Sequence, residues 1–323
     1  MRVLRATCFL LALVPWIAAA HVLAPARADG AERLSFVALG DMPYNLPEDD
    51  ARFESLIDEI NRRAPAFTIH VGDTQSSRTP CGPEMLEKAE RQMARFAQPL
   101  IYTPGDNEWT DCHLNPPPHN DPVGQLAEIR RRFFADDRSL GRKRLVLFRQ
   151  STDARFSAYV ENARWEAGGV VFATIHVVGS NNNLQRDRAA LLEYDARNEA
   201  NLAWIAATFA HAKTRDAKAV VLAMQADTMF EKFPFERTGF NDTLAALIQA
   251  ANTWPRPILV IQGDTHRYRV DQPLYDWPRK MRFPNLTRLV VPGADLIQAV
   301  IIEFLPDDAD APFAFRLLAP KTN

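Results

Sequence analysis

Residues 34–44 read LSFVALGDMPY, and residues 66–75 read AFTIHVGDTQ. Each is a short apolar run closed by Gly-Asp. Runs of this length, rich in Val, Ile and Phe, fit buried strands. Between them, Phe53, Leu56, Ile57 and Ile60 sit at helical spacing, which predicts a helix over residues 49–63. Residues 83–96 follow as a second helix, with Pro83 near its start. Residues 99–103 (PLIYT) follow as a third strand. The βαβαβ order predicts a parallel sheet with covering helices.

Further out, residues 111–122 carry four prolines and read as a long loop, followed by a helix over 123–134. Residues 170–178 (VVFATIHVV) form a strong strand, and residues 198–212 show a helical face with Leu202, Ile205 and Phe209. Strands are expected at 219–224 and 258–261, with a helix over 242–251 between them, and at 286–291 and 297–304. No repeat, low-complexity tract or linker interrupts this alternation. One α/β domain is expected over residues 29–323.

The first 28 residues read as a signal peptide. Arg2 and Arg5 precede an apolar run over 8–20, and Ala26-Arg27-Ala28 offers a cleavage site. That run is short of the roughly 20 apolar residues a membrane span needs. The expectation is a periplasmic or secreted chain with no stable membrane span after cleavage. Export removes Cys8 and leaves Cys81 and Cys112, 31 positions apart. In an oxidising compartment two cysteines suggest one disulfide, with free thiols as the alternative. The formal net charge of −2 supplies no broad basic field, so a nucleic-acid partner is not expected.

Five strands end in a compact polar cluster: Gly40-Asp41, Gly72-Asp73, Gly105-Asp106-Asn107-Glu108, Gln225-Ala226-Asp227 and Gly263-Asp264-Thr265-His266. Ligand sites of open parallel sheets lie beyond the carboxyl ends of the strands. Glycine before the acid allows a sharp turn that lets the carboxylate reach inward. A lone Gly-Asp after a strand is ordinarily a turn or a helix cap. Five such clusters along one chain point to a shared crevice. Gathered carboxylates repel one another, and a divalent cation relieves that repulsion.

This motif order resembles the calcineurin-like metallophosphoesterases, the family that includes the purple acid phosphatases. Their motifs read D-x-H, G-D, G-N-H-[DE], a strand-end His and G-H-x-H. The resemblance spans residues 34–269 and implies a four-layer α/β/β/α sandwich of the metallo-dependent phosphatase type. It also implies two divalent metals that activate water against a phosphomonoester or phosphodiester. Carried over, one metal falls to Asp41, Asp73 and His266. The second falls to Asp73 as bridge, with Asp106, Asp264 and Gln225.

The sequence departs from the family where the chemistry sits. Pro43 replaces the first His, Asp106 the Asn, Asn107 the following His, and Asp264 the first His of the last motif. Met224 and Gln225 occupy the strand-end His region. Carboxylate in place of imidazole favours Mg, Mn or Ca over Zn, with Fe also compatible. Asn107 stands at the catalytic His position and has no titratable proton, so His113 or His176 would have to take over, with His113 the nearer in sequence. A solvated loop histidine is the other reading of His113, and a core histidine is the reading favoured for His176. Glu108 is expected to hold its turn rather than bind metal.

Arg267 and Tyr44 are the substrate-binding candidates. Arg267 would pair with a phosphate, and Tyr44 gives a D-x-x-Y spacing similar to that of the metal-bound tyrosine in purple acid phosphatases. Trp109 would stack on a substrate ring or cover its loop. A Cys81–Cys112 disulfide would pin two metal-bearing loops together. The expected partner is a small-molecule phosphate ester. The competing function is a non-catalytic metal- or phosphate-binding protein on the same scaffold.

Overall fold

Alternation along β1 (Leu34–Leu39) sorts its side chains onto two faces. Phe36 and Ala38 join one buried cluster, and Val37 and Leu39 join another. That sorting is the plan of the whole fold. The computed structural model describes residues 34–228, 238–276 and 278–321, all within one compact unit. The signal peptide expected over residues 1–28 lies outside the described residues.

The first sheet has the order β14-β13-β1-β2-β3. Here β2 is Thr68–His70, β3 is Leu100–Tyr102, β13 is Ala299–Phe304 and β14 is Phe313–Leu318. The expected parallel arrangement holds for β1, β2 and β3, whereas β13 runs antiparallel to both β1 and β14. The second sheet is separate. Its strands are β4 (Phe148–Arg149), β5 (Ala163–Ala167), β6 (Val170–Thr174), β7 (Ala219–Ala223), β8 (Ile258–Gln262), β9 (Arg269–Asp271) and β12 (Leu286–Val290). They lie in the order β4-β5-β6-β7-β8-β12-β9, parallel through β6, β7, β8 and β12. A small hairpin, β10 (Tyr275–Asp276) with β11 (Met281–Arg282), stands apart.

The sheets pack face to face through Phe36, Phe67, Trp165 and Phe172, whose rings lie 5.0–5.6 Å apart. Helices cover the outer faces. On the first sheet lie α1 (Glu48–Arg63), α2 (Pro83–Met93) and α3 (Pro122–Phe133), which bury Phe53, Leu86 and Ile129 among others. On the second lie α4 (Arg188–Thr214) and α5 (Asn241–Thr253), which bury Trp204, Ile205 and Leu247. The result is the expected four-layer α/β/β/α sandwich. No described helix is long and apolar enough to cross a membrane.

Register brings the site together. Leu39 pairs with His70, and His70 with Tyr102, so the three parallel strands of the first sheet end side by side. In the second sheet Thr174 pairs with Ala223, and Ala223 with Ile261. The motifs that follow these residues therefore meet across one crevice.

Candidate metal centre

The turns after the strands differ from the expectation in one respect. Left-handed backbone falls on the acids themselves, with φ of 56° at Asp41, 57° at Asp73 and 69° at Asp264. Aspartate tolerates this conformation better than most residues. Gly72 bends as expected, with φ of 105°, whereas Gly105 and Gly263 serve as space. A Cβ at Gly105 would lie 2.0 Å from Asp73 Oδ1, and one at Gly263 would lie 2.2 Å from Asp41 Oδ2. The carboxylates are thus pressed against backbone that has no side chain.

Asp41, Asp73 and His266 each offer a ligand atom within 4.8 Å of the other two. Asp41 is fully buried, and its Oδ1 accepts from the Asp264 N–H at 2.9 Å. His266 Nε2 lies 3.7 Å from the same oxygen. Asp41 Oδ2 is buried with no hydrogen-bond partner. A buried carboxylate oxygen without a donor is costly, and a cation held by these three side chains would satisfy it. The donor set therefore fits a divalent metal ion.

Asp73 is held from several sides. Tyr44 Oη donates to its Oδ2 at 2.8 Å, Asn107 Nδ2 to the same oxygen at 2.9 Å, and the Asn107 N–H to Oδ1 at 3.1 Å. Tyr44 also packs edge-on against His266, with ring centroids 5.2 Å apart. Glu108 holds its turn: Thr74 N–H donates to it at 2.9 Å and Gly105 N–H at 3.1 Å. Below the turn, His70 Nδ1 accepts from the Gly72 N–H at 3.1 Å.

Charge is in surplus here. Burial pushes Asp41, Asp73 and Asp106 well above the usual carboxylate range, and neighbouring carboxylates push further. Asp264 is pushed up to about 6, by burial first and then by Asp227. Burial lowers His266, which keeps its imidazole neutral and able to ligate.

Gln225, expected among the ligands of a second ion, turns its carbonyl away from the acids. Its Oε1 accepts from the Gly179 N–H at 2.6 Å, and its Nε2 reaches Asp106 Oδ1 at 2.9 Å. Asp106 Oδ2 accepts from Ser180 Oγ at 3.0 Å. Ser180 opens a left-handed turn, Ser180 to Asn183, with φ between 48° and 65° throughout. Arg197 pins that turn through Asn182 Oδ1 at 2.6 Å and Asn182 O at 3.0 Å.

Asp73, Asp106, Asn107, Asp264, His266 and Tyr44 line an open cavity of about 950 Å³. Glu48, Arg78, Asp111 and Asp295, which no motif marked, line it too. His113 is exposed and not among the lining residues; its Nδ1–H donates to Thr110 O at 2.7 Å. Arg267 is exposed and likewise outside the lining. Trp109 is fully buried, against His176 and under Arg197, so it covers no substrate ring. His176 is a core histidine whose Nδ1–H donates to Glu161 at 2.7 Å. Cys81 and Cys112 form a disulfide, with Cα atoms 5.7 Å apart, that ties the loop after β2 to the loop after β3.

No protein-family model and no curated protein sequence matches the chain. Several solved structures share its fold. A dimetal phosphatase from Danio rerio is 8% identical, with 89% of this chain and 99% of that one covered at TM-score 0.51. PhoD is 10% identical, with 89% and 68% covered at TM-score 0.51. GAP50, described as the anchor in the inner membrane complex of Plasmodium, is 10% identical, with 90% and 85% covered at TM-score 0.55. At these identities the likeness concerns the fold alone. That fold is the one the motif order implied, of the calcineurin-like metallophosphoesterase type.

Proposed function

We propose that this chain is an exported metal-dependent phosphoesterase that hydrolyses a small phosphate ester. The observation that carries the reading is the convergence of Asp41, Asp73 and His266, one of whose buried carboxylate oxygens, Asp41 Oδ2, has no hydrogen-bond partner, beside an open cavity. A bound divalent ion supplies Lewis-acid stabilisation of the phosphoryl oxygens and lowers the pKa of a water molecule. The three side chains hold that ion. Tyr44 and Asn107 fix the Asp73 carboxylate, and the carboxylate-rich set favours Mg, Mn or Ca over Zn.

The cavity lining also bears on the substrate. Glu48, Asp73, Asp106, Asp111, Asp264 and Asp295 face only Arg78 and His266 among the lining residues. Such a field disfavours a doubly charged monoester more than a singly charged diester. The test is metal content by mass spectrometry on the purified chain, with turnover of p-nitrophenyl phosphate and its bis-ester under each metal. Bound metal with faster diester turnover is expected. A chain that binds no metal sinks the proposal.

A second reading, a metal-binding protein without turnover, is favoured by one observation. Asn107, at the position where the family carries its catalytic His, spends its amide on Asp73, Tyr44 and the Gln75 carbonyl. It has no proton to give a leaving group. Bound metal with no turnover of either ester would establish it.

A further inference from the structure

We infer that the Gln225 side-chain amide stands where a second cation would sit, so that the crevice holds one divalent ion rather than a pair. The inference rests on the metal-dependent reading above. Its first support is the orientation of the amide. Gly179 N–H is a backbone group that only donates, and it meets Gln225 Oε1 at 2.6 Å. The amide nitrogen must then face the acids. There it lies 2.9 Å from Asp106 Oδ1, 3.3 Å from Asp73 Oδ2 and 3.4 Å from Asp264 Oδ1. Three carboxylates from three strand ends gather about one donor, which is how acids gather about a metal.

The second support is what the amide leaves available. A protonated amide nitrogen is not a metal ligand, and the oxygen that could ligate is already taken. Gln225 is fully buried, and its own carbonyl accepts from the Gly263 N–H at 2.8 Å. The side chain is therefore anchored at both ends. Ser180 Oγ adds a further neutral donor, 3.0 Å from Asp106 Oδ2 and 2.6 Å from Asp111 Oδ1.

The third support is the contrast with the other end of the crevice. Asp41 Oδ2 has no donor, whereas Asp106 and Asp264 are met by Gln225 and Ser180. Among the described residues, Asp41, Asp73 and His266 form the one group of three ligand-bearing side chains close enough to share an ion. Neutral donors at one end and an orphaned oxygen at the other describe a mononuclear centre built on a fold that the family uses for two metals.

The experiment is a Mn²⁺ titration of the full chain by calorimetry, with the bound ion counted by mass spectrometry after gel filtration. One ion per chain is expected. Two ions overturn the inference and leave the phosphoesterase proposal standing, whereas none overturns both. Asp106→Asn should keep the count at one and lower the affinity by about tenfold, the lower end for a supporting residue; a fall in the count assigns Asp106 to an ion and refutes the inference. Gln225→His, which restores an imidazole, should raise the count toward two. The wild-type count stands as the test even where that variant fails to fold.

Discussion

The two sheets furnish the crevice differently. The strands β1, β2 and β3 deliver Asp41, Asp73 and Asp106, and the loops after β2 and β3 are cross-linked by Cys81–Cys112. The second sheet delivers mostly partners for those acids: the Gln225 amide, the Ser180 hydroxyl, the Asp264 N–H and the His266 ring. One half concentrates negative charge in fixed positions. The other half decides how that charge is met, by ion or by hydrogen bond. The second sheet thus supplies both hydrogen-bond donors to the acids and, in His266, one of the three candidate ligands.

The largest expected effect comes from removing a first-sheet carboxylate. Asp73→Asn should reduce Mn²⁺ affinity on the order of 100-fold or more, beyond the usual cost of losing a supporting residue. Calorimetry checks this, and affinity within tenfold of wild type would break the comparison. Next comes the cross-link. A Cys81→Ser, Cys112→Ser double variant no longer closes the loop across a sequence separation of 31 and should lose about 3–4 kcal/mol of stability. Urea denaturation reads the loss, and ion affinity should fall with it. An unchanged affinity would mean that the first-sheet loops hold their geometry without the bond.

Gly105→Ala should follow, because its Cβ would overlap Asp73 Oδ1 at 2.0 Å. Overpacking of this kind costs about 1–3 kcal/mol, and the displaced carboxylate should weaken ion binding. A thermal melt with and without Mn²⁺ separates the two effects.

His70 predicts a pH dependence beneath the first sheet. Burial lowers it from the ordinary 6.5 to about 3, so the folded chain holds it neutral while the unfolded chain protonates near 6.5. Its contribution is present above pH 6.5 and is lost as pH falls toward 3, at up to about 1.4 kcal/mol per pH unit. His70→Asn keeps an acceptor near the Gly72 N–H and should flatten that slope in urea titrations. The smallest effect belongs to His113→Ala and Arg267→Ala, both exposed and outside the cavity lining. Turnover and affinity should stay within about twofold, since surface changes of this kind stay near 0.5 kcal/mol.

Much of the fold was legible because its core strands are apolar on both faces. The stretch 34–39 was bounded to the residue, and the strand ends of β2, β3, β7 and β8 fell within one or two positions. Strand β5 (ARWEA) and strand β14 (FAFRLL) escaped, since each mixes charge and partial exposure into a short run. The first turns of α4 escaped for a related reason. Leu191 and Leu192 point to solvent while Arg197 and Asn198 are buried, which inverts the usual pattern. In the site, Gly-Asp pairs announced the acids. The role of Gln225 was not legible, because its orientation depends on Gly179, a residue 46 positions away that meets it only in the folded chain. Of the two readings of Trp109, burial removes the substrate ring, and Arg197, which covers its ring, lies in a distant helix.

Ser180, Asn181, Asn182 and Asn183 restrict how this chain can be spelled over time. A left-handed residue costs about 1–2 kcal/mol for most side chains and least for Asn, Asp and Gly, so drift at 181–183 should stay within that small alphabet. Surface loops usually lose their spelling first. Here a loop should keep it, and a Gly-Ser-Asn-Asn-Asn string ahead of a strand-end Gln becomes a fingerprint for sequences that share this crevice after their cores have diverged.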